Sequence, residues 1–230
     1  MGMTDYLLIE NNLTENDINE IYRLIDIESV WVDGHQSVQS DSSDEEKLKI
    51  KTNFQCEFTS QGNQSLSDIV FSRMDTRIKF IEFTVARNSA TPLVSRTEVG
   101  GFYKPHHDHA QLGDFSTTIF LNDDFEGGEL CLWINGEEVK FKPPAGSSVT
   151  YKTGTPHRVN TVTKGHRDAV IFWTHSQLKD PFEYDMYQGL TSALNYIEPT
   201  YHENLEDASK DPYFILHNLQ DKIIRKNHRN

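Results

Sequence analysis

Two histidines and one aspartate could together hold a metal ion. In an extended segment alternate side chains point to opposite faces, which places His106 and Asp108 on one face and His107 and His109 on the other. His157, at the start of a predicted strand farther along the chain, is a third candidate ligand. Two imidazoles and one carboxylate leave the opposite positions of an ion open, which suits non-haem Fe(II) that binds an organic co-substrate and O₂. We predict no catalytic side chain beyond these three ligands.

Arg167 is the candidate partner of such a co-substrate. It follows the turn at 163–166 and lies on the strand after His157, where a guanidinium could bind a carboxylate through two hydrogen bonds. 2-Oxoglutarate would chelate the metal through its 2-oxo acid, and its far carboxylate would need a cation. Without the three ligands, a salt bridge on the sheet surface would be the better interpretation of Arg167. The four residues together are much more specific than any one of them.

Short β-rich segments follow Pro92. They are rich in Val, Thr, Phe, Tyr and Ile, and Gly, Asn, Asp and Pro separate them, a pattern typical of an antiparallel all-β core. The predicted strands are Leu93–Val99, Phe115–Leu121, Glu129–Ile134, Glu137–Lys142, Ser147–Tyr151, Arg158–Thr163 and Ala169–Thr174. Asn135-Gly136 favours a type I′ hairpin turn between two of them. So many short strands predict a sandwich or a barrel.

Helices are predicted on both sides of this β core. Apolar spacing indicates one helix over 14–27, capped by Thr14, and one long helix over 66–85. Further apolar stripes follow Asp180, and their members are Phe182, Met186, Leu190 and Leu194, then Phe214, Leu216, Leu219 and Ile223. We therefore divide the chain into a principal domain, 1–180, and a C-terminal helical extension, 181–230. The stripes could pack on the core or on a second subunit, so a homo-oligomer stays open.

The segment Ser37–Lys51 is acidic and holds almost nothing that could be buried. Its composition predicts a mobile, solvated loop. Because long loops on rigid scaffolds often carry function, the segment could alternatively serve as a lid over a substrate.

Composition excludes several classes of protein. Of the 230 residues, 22 are Lys or Arg and 35 are Asp or Glu, and the net charge of −13 would repel a phosphate backbone. Nucleic acid is therefore not an expected partner. No apolar run reaches the roughly 18 residues that a membrane helix needs, and the N-terminal residues lack the architecture of a signal peptide. We expect a cytoplasmic protein with no membrane partner, in which Cys56 and Cys131 are reduced and structural.

The motifs around these residues resemble a known family. The sequence is similar to the iron- and 2-oxoglutarate-dependent dioxygenases of the prolyl 4-hydroxylase-like superfamily, and especially to the bacterial PKHD-type hydroxylases. The resemblance runs from about residue 31 to 180. Beyond His106-x-Asp108, His157 and Arg167, it is carried by Trp31–Gly34, Thr91–Leu93, Phe120–Asp123, Gly127–Leu130, Pro144–Gly146, Val162–Arg167 and Phe172–Ser176.

This resemblance implies a mainly β fold with flanking helices, the double-stranded β-helix or jelly roll. It implies hydroxylation of a C–H bond with decarboxylation of 2-oxoglutarate to succinate and CO₂. His106, Asp108 and His157 would be the iron ligands, and Arg167 would bind the far carboxylate of 2-oxoglutarate. Fe(II), 2-oxoglutarate and O₂ are the implied cofactor and co-substrates, and ascorbate is a further candidate. The resemblance favours a prolyl residue of a peptide or protein as the substrate.

One position departs from the family pattern. Prolyl hydroxylases often carry a tyrosine on the strand before the His-x-Asp motif, where its hydroxyl reaches 2-oxoglutarate, whereas this chain has Thr97 there. Thr97 could supply a shorter hydroxyl, or Tyr103 could take its place, and both are candidates for co-substrate contact. His107 and His109 stand where the bacterial relatives usually have apolar or small residues, but strand geometry turns them away from the iron.

Other functions remain open on the sequence. The same chemistry could act on a free amino acid or another small molecule. A jelly-roll module could bind a metal or ligand without catalysis, although it would have no need for Arg167. A zinc hydrolase could use the same three ligands, but it needs a nearby general base that the sequence does not show.

Overall fold

Antiparallel strands form the centre of the molecule. The computed structural model describes residues 5–38, 43–197 and 211–228. The strands are β1 (Tyr6–Ile9), β2 (Ser29–Asp33), β3 (Lys51–Thr52), β4 (Phe54–Phe58), β5 (Ala86–Ser89), β6 (Leu93–Glu98), β7 (Phe102–His106), β8 (Phe115–Phe120), β9 (Glu126–Gly127), β10 (Leu130–Ile134), β11 (Glu137–Phe141), β12 (Ser148–Lys152), β13 (His157–Val159), β14 (Val162–Lys164) and β15 (His166–Ser176). The helices are α1 (Glu15–Glu28), α2 (Asp44–Leu48), α3 (Ser60–Met74), α4 (Ile78–Thr84), α5 (Pro181–Leu194) and α6 (Pro212–His228), and a 3-10 turn spans Gly34–Ser37.

Two sheets face each other and make the jelly roll. The larger sheet has the strand order β1-β12-β8-β15-β6-β4-β2, and β5 also pairs with β15. The smaller sheet has the order β11-β10-β13-β7-β3, and β14 and β9 form a separate pair. The predicted mainly β jelly roll with flanking helices is confirmed. At the Asn135-Gly136 hairpin both residues have positive φ, 52° and 85°, as the predicted turn requires.

Apolar side chains fill two separate layers of the fold. One end of the space between the sheets is closed by Phe120, Phe125, Leu130, Leu132, Phe141, Val149 and Tyr151. The outer face of the larger sheet is covered by α1 and α3, whose buried Ile21, Leu24, Leu66 and Val70 pack on Val94, Ile119, Val170 and Phe172. Because successive residues of a strand face opposite sides, the large sheet presents apolar residues to the helices and leaves its inner face for the site.

The prediction of a single helix over 66–85 is wrong, because the chain forms two helices, α3 and α4, with a break after Met74. The apolar spacing continues through Ile78, but this side chain is 70% exposed. Two aromatic residues of α4 reach the sheet instead: Phe80 packs on Phe172 with ring centroids 6.3 Å apart, and Phe83 packs on Phe115 at 5.4 Å. Packing of these two rings sets the direction of α4. The spacing of apolar residues along the sequence does not show this packing.

Two further predictions on local structure need correction. The segment Ser37–Lys51, predicted as a loop, contains α2, where Ser43 and Glu46 form a reciprocal capping box; residues 39–42 lie outside the described residues. The strand predicted at Arg158–Thr163 is divided into β13 and β14, because β13 pairs with β10 and β7 whereas β14 pairs with β9.

The C-terminal helices pack beside α4. The predicted stripe of α5 is wrong in its register, because Phe182 is 71% exposed. Tyr184 is buried instead, and its hydroxyl donates to the Phe83 carbonyl at 2.6 Å. Gln220 of α6 donates to Thr191 of α5 at 2.6 Å. The division at residue 180 and a homo-oligomer stay predictions. None of the helices in the described ranges has the length and apolar character needed to cross a bilayer.

Candidate metal centre

His106, Asp108 and His157 meet at one point between the sheets. His106 ends β7 and His157 begins β13, and the two residues are directly paired across these strands. Asp108 follows two residues after β7, and its Oδ1 lies 3.7 Å from Nε2 of each histidine. One donor atom from each of the three residues lies within 4.8 Å of the others. The structure therefore brings together all three of the predicted ligands.

Hydrogen bonds orient both imidazoles toward this point. Nδ1 of His106 donates to the Lys104 carbonyl at 2.8 Å, and Nδ1 of His157 donates to the Thr155 carbonyl at 2.9 Å. Each Nε2 is thereby left as the acceptor nitrogen, the form that binds a metal. Burial, and secondarily the neighbouring His157, lowers the pKa of His106 to about 4, so its ring is neutral at pH 7.

Two donors hold the Asp108 carboxylate. Ser116 Oγ donates to Oδ2 at 2.7 Å, and the indole Nε1 of Trp173 donates to the same oxygen at 2.9 Å. The other oxygen, Oδ1, is left facing the histidines. The sequence does not single out Ser116, and it includes Trp173 only within the motif Phe172–Ser176. Strand alternation could have found Trp173, because it lies on the same face of β15 as Arg167.

Arg167 lies buried on the inner face of the larger sheet. It is 2% exposed, and Thr97 of β6 is its partner in the sheet register. Its guanidinium lies over the Phe120 ring, 5.0 Å from the centroid, and its buried Nε has no hydrogen-bond partner within the described ranges. Burial lowers its pKa to about 10, which leaves it charged at pH 7. A buried cation that has no carboxylate partner in the described part of the chain could bind an anionic ligand.

One cavity of about 840 Å³ joins these groups. His106, Asp108, His157 and Arg167 all line it, and so do the other two predicted contacts, Thr97 and Tyr103. The volume is within the range of about 300–1,000 Å³ that ligand pockets occupy in proteins. It accommodates a small organic acid and leaves room for a second ligand.

The two candidates for co-substrate contact lie on different walls of the cavity. Thr97 is buried on the larger sheet beside Arg167. Tyr103 lies on the smaller sheet, and its ring stacks on His106 with centroids 3.5 Å apart. His107 and His109 border the cavity as well, but both are exposed and neither belongs to the ligand cluster.

Tyr151 and Lys51 are two of the cavity residues that the sequence did not predict. Tyr151 is fully buried beside His157, with ring centroids 5.2 Å apart, and burial raises its pKa well above the ordinary value. Lys51 lines the cavity from β3, inside the segment that was predicted as a loop. No local pattern marks Lys51, because its position depends on the pairing of β3 with β7.

Known proteins resemble this chain in both sequence and structure. Residues 92–175, which contain the cluster and Arg167, match the model of the 2OG-Fe(II) oxygenase superfamily. A PKHD-type hydroxylase of Thermosynechococcus vestitus is 33% identical over 190 residues, covering 78% of this chain and 82% of the relative. The PKHD-type hydroxylase YbiX of Shigella boydii is 28% identical over 207 residues, covering 85% and 87%.

Two solved structures share the fold. A Pseudomonas putida prolyl-4-hydroxylase superposes with a TM-score of 0.57 at 18% identity, covering 75% of this chain and 92% of that one. A Trichoplax adhaerens prolyl hydroxylase, solved with a peptide fragment of the hypoxia inducible factor oxygen degradation domain, gives 0.54 at 16% identity, covering 81% and 87%. At these identities the likeness concerns the fold alone.

Proposed function

Because the chain belongs to the PKHD-type hydroxylases of the 2OG-Fe(II) oxygenase superfamily, we propose that it hydroxylates a prolyl residue of a peptide or protein. Membership makes the protein an oxidoreductase that depends on Fe(II), 2-oxoglutarate and O₂. The zinc hydrolase and the non-catalytic module are thereby set aside. The proposal includes the decarboxylation of 2-oxoglutarate to succinate and CO₂.

His106, Asp108 and His157 are the proposed iron ligands. Two imidazoles and one carboxylate are a donor set that fits Fe(II) and leaves positions for other ligands. Bound Fe(II) would activate O₂, the oxidant, and 2-oxoglutarate would supply two electrons as it is decarboxylated, so that one oxygen atom enters succinate and the other becomes the hydroxyl on the substrate carbon. The chain itself holds the ligand atoms in place through the two Nδ1 hydrogen bonds and through the donors Ser116 and Trp173.

Arg167 carries the proposal for the co-substrate. Its burial on the cavity wall, together with an unpaired Nε, is the observation on which the 2-oxoglutarate site rests. The guanidinium would bind the far carboxylate and thus orient the 2-oxo acid toward the metal. Thr97, its neighbour on β6, could add a hydroxyl from the same wall, whereas Tyr103 could do so from the opposite sheet.

A prolyl substrate is supported by the fold neighbours. Both solved proteins named above are prolyl hydroxylases, and one of them holds a peptide fragment. The cavity volume of about 840 Å³ leaves room for a side chain in addition to a co-substrate. A free amino acid or another small molecule is the alternative substrate for the same chemistry.

Succinate formation tests the core of the proposal. The purified protein, given Fe(II), 2-oxoglutarate and O₂, should form succinate slowly even without a prime substrate. His106→Ala, which removes one ligand, should reduce this to background. Succinate that never rises above the His106→Ala level would contradict the assignment. Parallel reactions with and without ascorbate test whether it is an accessory reductant.

A cytoplasmic location is also part of the proposal. Cys56 and Cys131 are both free and buried, which fits a compartment that keeps thiols reduced. Cell fractionation with an antibody against the protein tests this, and recovery in an extracytoplasmic fraction would contradict it.

A further inference from the structure

The cavity contains a second buried cation, Lys51. It belongs to β3 at the edge of the smaller sheet, where it pairs with Tyr103 of β7. The residue is 6% exposed, and its Nζ donates to Ser37 Oγ at 2.7 Å and lies 4.8 Å from the centroid of the Tyr103 ring. Within the ranges that the structure describes, no carboxylate forms an ion pair with Lys51. A buried ammonium with so little compensation destabilises the fold, so it calls for a functional explanation.

Lys51 and Arg167 lie on different sheets. Arg167 projects from β15 of the larger sheet, beside Thr97. On the smaller sheet, Lys51 lies over Tyr103, and Tyr103 in turn stacks on the ligand His106. The Lys51 ammonium and the ligand His106 therefore contact the same aromatic ring. In the proposed site the distal carboxylate of 2-oxoglutarate pairs with Arg167, and no carboxylate of the described residues pairs with Lys51.

The charge of Lys51 is available for an anion. Burial lowers its pKa to about 8, while the carboxylate of Asp108 acts against this shift. The ammonium form therefore predominates at pH 7. Metal binding at the cluster would neutralise much of the Asp108 charge, so it would leave Lys51 with even less electrostatic compensation.

We propose that Lys51 binds a carboxylate of the prime substrate, so that the enzyme selects substrates carrying an anionic group next to the carbon that is hydroxylated. The inference rests on the proposed 2-oxoglutarate site, because it assigns Arg167 to the co-substrate. The carboxylate could be the α-carboxylate of the hydroxylated residue itself, as in a free or C-terminal proline. It could also be the side chain of an adjacent acidic residue in a peptide.

Binding of matched pairs of ligands distinguishes these two possible positions of the carboxylate. The protein is loaded with Mn(II) and 2-oxoglutarate, and binding of each probe is measured by calorimetry. The first pair is N-acetyl-proline and N-acetyl-prolinamide, which differ only at the α-carboxylate. The second pair is N-acetyl-aspartyl-prolinamide and N-acetyl-asparaginyl-prolinamide, in which the acidic residue or its amide precedes proline. In the third pair, aspartate or asparagine follows an N-acetylated proline, and the C-terminus is again an amide. The variants are Lys51→Met and Lys51→Gln, so that the test survives if one of them fails to fold.

Lys49→Met is the control variant. Lys49 lies two residues from Lys51, is exposed and pairs with Glu45 at 3.1 Å on the protein surface. The Lys49→Met substitution therefore removes the same charge from the same segment at a residue that does not line the cavity. We expect at least one carboxylate to bind roughly 10- to 100-fold more tightly than its amide, as a charge-assisted hydrogen bond would produce. The preference should disappear in both Lys51 variants and persist in Lys49→Met.

Three outcomes would overturn the inference. The first is that no carboxylate binds better than its amide. The second is that a preference survives in Lys51→Met. The third is that Lys51→Met weakens 2-oxoglutarate binding as much as probe binding, which would assign Lys51 to the co-substrate. Failure of the proposed function is distinguishable, because succinate formation and 2-oxoglutarate binding are measured with no probe present.

Discussion

Arg167 and Asp168 are adjacent on β15, and both are buried, but they face opposite sides of the larger sheet. On the helix-covered side, Asp168 accepts hydrogen bonds from Arg96 at 2.8 and 2.7 Å and from the Tyr22 hydroxyl at 3.1 Å. On the cavity side, Arg167 has an aromatic neighbour, Phe120, and a buried Nε that has no partner in the described ranges.

The difference is the one expected between a charge that stabilises the fold and a charge with the ligand-binding role that we propose for Arg167. Asp168 is compensated by side chains of the same chain, so removal of either partner should destabilise the fold. Among the described residues no carboxylate pairs with Arg167, so the folded chain carries the energetic penalty of its burial, which the proposed binding of 2-oxoglutarate would offset. The contrast between the two faces predicts that substitutions on one side change stability and substitutions on the other change ligand binding.

The largest effect is expected on the helix side, from Arg96→Met. It leaves the Asp168 carboxylate buried and unpaired, so the free energy of unfolding should fall by about 3–5 kcal/mol. Urea denaturation of the metal-free protein measures this. Arg225→Met, which breaks a surface pair with Asp221, is the control and should change stability by less than about 0.5 kcal/mol. Similar losses in the two variants would remove the basis of the comparison.

On the cavity side, Arg167→Met should mainly affect the co-substrate. Loss of a charge-assisted contact should weaken 2-oxoglutarate binding by about 2–3 kcal/mol, while Mn(II) binding changes little. The free energy of unfolding should stay constant or rise, because an unpaired buried charge is removed. Calorimetry with each ligand and urea denaturation measure the two quantities. Equal weakening of metal and 2-oxoglutarate binding would contradict the proposed division of roles.

Removal of the buried charge of Lys51 should raise the free energy of unfolding, as for Arg167, and the size of this effect should depend on pH. Its pKa is about 8 in the folded protein against 10.5 for an ordinary lysine, so between these values the unfolded chain binds more protons. The free energy of unfolding of the wild type relative to Lys51→Met should therefore rise by about 2.5 kcal/mol between pH 7 and pH 10. Urea denaturation of both proteins at pH 7, 8, 9 and 10 measures how the difference in their free energies of unfolding changes with pH. A constant difference would show that Lys51 is not desolvated as the structure indicates.

The smallest effect is expected at the donor to the proposed metal ligand. Trp173→Phe keeps the ring but removes one of the two hydrogen bonds that hold Asp108, so Mn(II) affinity should fall by roughly tenfold, about 1.4 kcal/mol. Trp133→Phe is the control, since that indole packs on Arg158 outside the cavity. Titration of both variants with Mn(II) measures the affinity. An equal change in Mn(II) affinity in the two variants would argue that Trp173 does not help to hold Asp108.

Residue type and spacing were sufficient to predict the groups at the candidate site. His106, Asp108, His157 and Arg167 were chosen from short motifs and from strand alternation, and the structure places all four on one cavity. Their proposed roles stay open to the experiments above. The Asn135-Gly136 turn was equally predictable. These features depend on the chemistry of single side chains and on backbone conformations within a few residues, and both are local properties.

The tertiary structure alone decided the remaining features. Long-range pairing of β3 with β7 brings Lys51 into the cavity, and packing of Phe80 on Phe172 separates α4 from α3. Ser116 and Trp173 both contact Asp108 because β8 and the distant β15 lie side by side next to the segment that follows β7. A sequence determines which side chains can bind a metal or an anion. Whether a charge meets a partner or remains unpaired depends on which segments pack around it, and this is decided only when the whole chain folds.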